Sequence, residues 1–185
     1  MSELSDDELL ALLRSAESRN YGFNLLVRQY QRRLYGFVRR MITDHDETQD
    51  VLQNTFIKAF NGIDGFKGGS KIYSWLYRIA HNESLDHLRR MRRGLFVSEE
   101  SVIERLTTTL DSSEHFSGDA IERKLQKAVM SLPEKQRAVF TMKYFQEMKY
   151  EEMSEITGTS VGALKSSYHI AVKKIEDRLR ADQTI

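Results

Sequence analysis

Cysteine is absent from the 185 residues, which removes disulfides, thiolate zinc sites and cysteine nucleophiles together. Proline occurs once, at Pro133, so almost nothing in the chain forbids long helices. No apolar run approaches the ~20 residues that span a bilayer. The first ten residues, MSELSDDELL, are acidic where a signal peptide is basic, so a soluble, cytoplasmic protein is expected. Acid is also missing locally. Between Glu17 and Asp44 there is no Asp or Glu, but there are six arginines: Arg19, Arg28, Arg32, Arg33, Arg39 and Arg40. Acid gathers instead at Ser5–Glu8, at Asp44–Asp50 and around Glu99–Asp119, so a net charge of only +1 hides opposed faces.

What is present reads as all-α, because apolar residues recur at helical spacing and no strand-like alternation persists. Helices are expected at Asp6–Ser15, Tyr21–Ile42, from about Asp46 to Phe60, and at Ile72–Arg92. In the second of these, Leu26, Tyr30, Leu34, Phe37, Val38 and Met41 form one buried stripe. Asp46 and Gln49 resemble a capping box for the third. Four glycines mark Gly62–Ser70 as a loop. Gly94–Asp119 is rich in Ser, Thr, Asp and Glu and reads as a flexible linker with a short helical turn at Val102–Leu110. A second domain then begins near Ala120, with a stripe of Ile121, Leu125, Ala128, Val129 and Leu132. Pro133 opens the next helix, with Ser131 as its cap, and that helix runs to about Phe145. The expected architecture is two small helical domains, 1–93 and 120–185, joined by a polar linker at 94–119.

The last two helices, Tyr150–Thr157 and Val161–Arg180, flank Gly158-Thr159-Ser160. A helix, a tight glycine turn and a second helix opened by Ser or Thr form a helix-turn-helix. The second helix of such a unit offers its N-terminal side chains to base edges in the major groove. Val161, Leu164 and Ile170 are candidates for the core, of which only some can face it at once. Lys165, Ser166 and His169 are assigned to the opposite face, and Lys173 and Lys174 are placed to meet phosphates.

Three stretches stand in one order: DETQDVLQNTFIKAF (Asp46–Phe60), FKGGSKIYSWLYRIAHNESLDHLRR (Phe66–Arg90) and LPEKQRAVFTMKYFQEMKYEEMSEITGTSVGALKSSYHIAVKKI (Leu132–Ile175). Together they resemble the extracytoplasmic-function (ECF) sigma factors, the smallest class of the bacterial sigma-70 family. The resemblance implies two partners: core RNA polymerase and promoter DNA, duplex and melted. On the polymerase the contacts are the clamp coiled coil of the largest subunit and the flap of the second large subunit. Asp46, Glu47, Asp50, Gln53 and Phe56 match the clamp-docking segment, with Phe56 standing equally as a core residue. Phe66, Lys67, Gly68, Gly69, Ser70 and Lys71 resemble the loop that captures a flipped base of the −10 element, and Asn82 matches a base-pocket position. Arg89, Arg90, Arg92 and Arg93 either track phosphates or compensate the helix dipole. Trp75 and Tyr77 are read as core. Ser160, Lys165, Ser166, His169 and Lys173 fall on the −35 reader, where Ser167 and Ile170 replace arginines usual in the family.

The resemblance further implies control by an anti-sigma factor, and with it tethering at the membrane. No cofactor, metal or small-molecule substrate is expected. His81, Asp86 and His87 lack zincin spacing, and neither a P-loop nor a G-x-S-x-G element is expected. Two other readings remain: a helix-turn-helix regulator that recruits polymerase without melting DNA, and a helical adaptor with no nucleic-acid role.

Overall fold

The computed structural model describes residues 4–95, 98–112 and 120–182, and all regular structure among them is helical. Helix α1 spans Asp6–Arg14, α2 Arg19–Ile42, α3 His45–Gly62 and α4 Ile72–Leu95. A 3-10 turn, Ile63–Gly65, leads into the glycine loop. Then come α5 (Glu99–Ser112), α6 (Ala120–Met130), α7 (Glu134–Phe140), a π-helical turn (Thr141–Phe145), α8 (Tyr150–Thr157) and α9 (Val161–Ala181).

Local chemistry sets these boundaries. Ser5 and Glu8 form a reciprocal capping box that opens α1. Helix α3 is capped by Asp44, whose side chain accepts from Glu47 N at 2.9 Å, two residues earlier than the expected Asp46. Ser131 does not cap α7; its hydroxyl bonds back to Ala128 O at 2.6 Å, closing α6 instead. The helix expected to reach Phe145 ends at Phe140, where the ladder widens into the π turn.

The first domain packs α1 through α4 around the stripe expected on α2, in which Leu26, Leu34, Phe37, Val38 and Met41 are fully buried. Helices α1 and α2 touch at Gly22, where a Cβ would lie 2.7 Å from Leu12 Cβ, so a larger residue would push them apart. Part of the expected linker is a fourteen-residue helix, α5, because Val102, Leu106 and Leu110 fall one helical turn apart and are all buried. Thr43 Oγ1 donates to Leu106 O at 3.1 Å, pinning α5 to the end of α2. Residues 113–119 of that interval lie outside the described residues.

The second domain, α6 to α9, has its own small core of Val129, Leu132, Phe140, Ala171 and Ile175. Its other face does not meet solvent. Met130, Ala138, Met142, Met148, Met153, Ile156 and Leu164 belong to the same continuous cluster as Phe37, Leu76 and Tyr77 of the first domain. Helix α8 lies on α4, and the π turn lies on α2.

Candidate nucleic-acid interface

Along α3, Asp46, Asp50, Gln53 and Ile57 recur at spacings of four, three and four, and all are exposed. They form one outward stripe: acidic at the helix N-terminus, then amide, then apolar. Ile57 is 51% exposed and continues into an apolar groove of about 330 Å³ lined by Phe23, Val27, Gln53, Phe56, Ile57 and Phe60. Sequence reading missed Phe23, Val27 and Ile57. The available signal was an isoleucine on the solvent side of an otherwise well-patterned helix. Two candidates lie off this stripe. Glu47 is held within the chain, 3.3 Å from His87 Nε2 and 4.0 Å from Arg105. Phe56 is 9% exposed, with its ring packed edge-on to Phe23.

The glycine loop is anchored at both ends. The Phe66 ring is buried against Trp75, 5.1 Å between centroids, and its carbonyl accepts from Arg14 at 3.3 Å. At the other end Ile72 N donates to Asp6 Oδ2 at 2.9 Å, which caps α4. Between the anchors Lys67, Gly68 and Gly69 are exposed, and Gly68 takes φ 77°, a left-handed conformation that glycine adopts without steric cost. Gly68, Gly69, Ser70 and Lys71 line a cleft of about 440 Å³ together with Asp6, Asp7 and Glu155. Asn82 is exposed but sits about 15 Å further along α4, at ~1.5 Å of rise per residue. Its Oδ1 lies 3.3 Å from His81 Nδ1. Burial pulls the His81 imidazole below its usual pKa. At the end of α4, Arg90 and Arg93 are exposed, Arg92 is half-buried, and Arg89 is paired with Asp86 at 2.7 Å. Tyr77 is fully buried and Trp75 is half-buried.

In the helix-turn-helix, Gly158 takes φ 70° and ends α8, and Ser160 caps α9 by accepting from Ala163 N at 3.3 Å. Gly158-Thr159-Ser160-Val161-Gly162 does carry the G-x-S-x-G spacing of a nucleophile elbow, against the expectation of no catalytic motif. The context is wrong for one: a helix, not a strand, precedes the turn, and the Ser160 hydroxyl is engaged as a cap. Leu164, Ala171 and Ile175 face inward. Ser166, His169, Ile170 and Lys173 share the outward face; of the three core candidates Leu164 is buried, Val161 is half-buried and Ile170, 45% exposed, is left outside. The inward stripe runs instead through Leu164, Tyr168, Ala171 and Ile175, and Ile170 falls about 100° away from Ala171 on the helix. Lys165 leans 5.7 Å over the Tyr150 ring.

Residues 26–94 match the model for sigma-70 region 2, and residues 122–175 the model for sigma-70 region 4. The chain is 30% identical to the ECF RNA polymerase sigma-E factor of Escherichia coli, over 97% of both chains. It is 35% identical to the RNA polymerase sigma factor YlaC of Bacillus subtilis, over 86% of this chain and 95% of that one. It belongs to the ECF class of the sigma-70 family. The fold agrees with a solved structure of the sigma factor RpoE in complex with the anti-sigma factor NepR from Bartonella quintana. That likeness has a TM-score of 0.67 at 22% identity and covers 86% of this chain and 98% of that one.

As an ECF sigma factor the chain binds core RNA polymerase, recognises −35 and −10 promoter elements and helps melt the DNA to start transcription. Region 2 of the sigma factor therefore runs from within α2 to the end of α4 and carries the α3 stripe and the glycine loop. Region 4 begins within α6 and ends within α9, and carries the helix-turn-helix.

Proposed function

We propose that the sigma factor divides its work among three surfaces. Asp46, Asp50 and Gln53, with Glu47 and Phe56 beside them, dock on the clamp coiled coil of the largest polymerase subunit. Phe66 to Lys71 and Asn82 hold an unpaired −10 base, with Arg89, Arg90, Arg92 and Arg93 along the strand phosphates. Ser160, Lys165, Ser166, His169 and Lys173 read the −35 duplex. Unstacking a base costs a few kcal/mol, which hydrogen bonds and stacking in the loop return, so melting is trapped without ATP. Domain boundaries at 93 and 120 fit this division. The flap of the second large polymerase subunit is assigned to region 4, and the polymerase carries all of the chemistry.

The observation that carries this reading is the outward face of α9. A capped helix N-terminus after a left-handed glycine presents Ser166, His169 and Lys173 together, with its apolar stripe turned inward. The RpoE–NepR complex supports a comparable arrangement here: an anti-sigma factor that covers this chain when it is inactive, in the cytoplasm or at a membrane sensor. No helix among the described residues is long and apolar enough to cross a membrane.

The test is promoter-directed run-off transcription with core polymerase. Asp50→Lys should weaken polymerase capture, Asn82→Ala should weaken binding to duplex and pre-melted promoters, and Lys165→Ala should relax −35 preference. Full activity of all three variants would remove the reading. Stimulation confined to pre-recruited polymerase on already melted templates would favour a regulator that does not open DNA.

A further inference from the structure

The outward face of α9 is not uniformly polar. Tyr21, Ile57, Ile121, Tyr144 and Ile170 are the exposed large apolar side chains among the described residues, and Ile170 is the one on the second helix of the helix-turn-helix. Ala163, also exposed, lies seven residues before it, which is close to two whole turns, so both stand on one side of the helix. Ser166, His169 and Lys173 flank them. The face that region 4 offers to a groove therefore carries an apolar strip among its polar groups.

An isolated exposed isoleucine is ordinary on a protein surface and means nothing by itself. The neighbours of Ile170 give this one a use. No arginine occurs in α9 before Arg178. Lys165 leans over the Tyr150 ring at 5.7 Å, and Lys174 donates to Gln136 Oε1 at 2.9 Å. The bidentate cation-to-guanine contact, the commonest specific contact in a major groove, thus has little to draw on around Ile170. The Ser166 hydroxyl donates to the Gly162 carbonyl at 3.1 Å, which commits its one proton and leaves lone pairs to face outward. An acceptor beside a branched hydrocarbon suits A·T pairs: adenine N6 is a donor there, and thymine alone among the four bases shows the groove a methyl group. Stiffness favours the contact further. A β-branched side chain in a helix holds essentially one χ1 rotamer, so little freedom is lost when it is covered.

We infer that Ile170 is a specificity determinant of the −35 reader. Its side chain packs on a thymine methyl in the major groove, with Ala163 beside it, and biases the chain toward promoters that carry thymine at that position. The inference rests on the −35 reading of α9 given above.

The test removes the methyl alone. Holoenzyme assembled from the full chain and core polymerase is titrated on a promoter it transcribes, with each −35 thymine of either strand replaced in turn by deoxyuridine. Uracil keeps every hydrogen-bonding group of thymine and lacks only the methyl. One replacement should weaken binding roughly fourfold, the worth of one buried methyl group. Ile170→Ala should bind the thymine and uracil forms of that promoter equally. Ile170→Val, which keeps the branched methyls, should retain most of the discrimination. Changing that thymine to cytosine should weaken binding by the native chain, and 5-methylcytosine should recover part of the loss. Each variant is compared with itself on two DNAs, so any loss of folded protein cancels from the ratio.

Equal binding of the native chain to every uracil form overturns the inference, as does a thymine preference that Ile170→Ala leaves intact. Lys173→Ala then separates this failure from failure of the −35 reading. If it weakens binding to this promoter but not to one with a scrambled −35 element, α9 still reads the duplex and only the methyl contact is lost. If it changes neither, the −35 reading of α9 falls as well.

Discussion

Phe56 and Asp50 sit six residues apart on α3 and should fail in different ways when changed. Phe56 is 9% exposed and packed on Phe23, so Phe56→Ala deletes most of a buried ring. Such truncations cost about 3–5 kcal/mol. The neighbouring groove is open and admits water, which places this one near the lower end, about 3 kcal/mol. At roughly 2–4 °C per kcal/mol for a chain of this size, the midpoint should fall by roughly 6–12 °C. Asp50 is exposed, so Asp50→Lys should change stability by less than about 0.5 kcal/mol. On the proposed docking surface it would replace attraction with repulsion. An exposed pair contributes up to about 1 kcal/mol, so reversal costs about 1–2 kcal/mol. That is roughly five- to thirty-fold in affinity, shrinking as salt rises. Thermal unfolding followed by circular dichroism, run beside a competition assay for core polymerase, separates the two effects. If Phe56→Ala weakened polymerase binding with an unshifted midpoint, the ring would be a contact and the packing argument would be wrong. If Asp50→Lys bound normally at low salt, the α3 stripe would not be the docking surface.

Arg137 donates to three carbonyls, those of Met41, Met130 and Leu132, so Arg137→Ala should cost about 3–5 kcal/mol in urea unfolding; a cost under about 1 kcal/mol would show that the buried guanidinium merely fills space. His81 has a depressed pKa in the fold, with burial the first cause, so the unfolded chain binds the proton more readily and stability falls as pH drops below the unfolded value of ~6.5. The loss is complete only below the lower folded pKa, and His81→Gln should flatten that acid limb of the urea midpoint. Ile170 stands exposed on the reading face of α9, so Ile170→Arg should tighten binding to −35 duplex and steepen its salt dependence by about one phosphate contact; an unchanged salt slope would place Ile170 away from DNA.

Helices were legible where one face is strongly apolar. The stripe from Leu26 to Met41 is buried as spaced, and Tyr150–Thr157 and the start of α9 fall where the glycine turn puts them. Helix α5 was hidden by composition. Ser, Thr and Glu dominate its sequence, and only the recurrence of Val102, Leu106 and Leu110 announces it. Of the three core candidates on α9, Ile170 is the one left outside, because the inward series runs through Leu164, Ala171 and Ile175. The acidic stripe on α3 was readable, since Asp46, Asp50 and Gln53 need only helical spacing to align. The contacts between the domains were not readable. Arg40, Gln126 and Arg137 look like ordinary surface residues in any local window, and only the packing of distant segments buries them.

The acid-free arginine run of α2 bears on how the chain distributes its charge. Such a run suggests a nucleic-acid face, yet much of it is turned to the chain itself. Arg19 pairs with Asp64 at 2.9 Å, Arg39 is 6% exposed, Arg40 reaches Glu122, Gln126 and Phe145, and Arg33 shares a polar cavity with Glu147 and Glu152. Arg33 and Arg40 thus face acids of region 4 while Arg19 is held by an acid of its own domain, so an acid-free arginine run need not form an open nucleic-acid face.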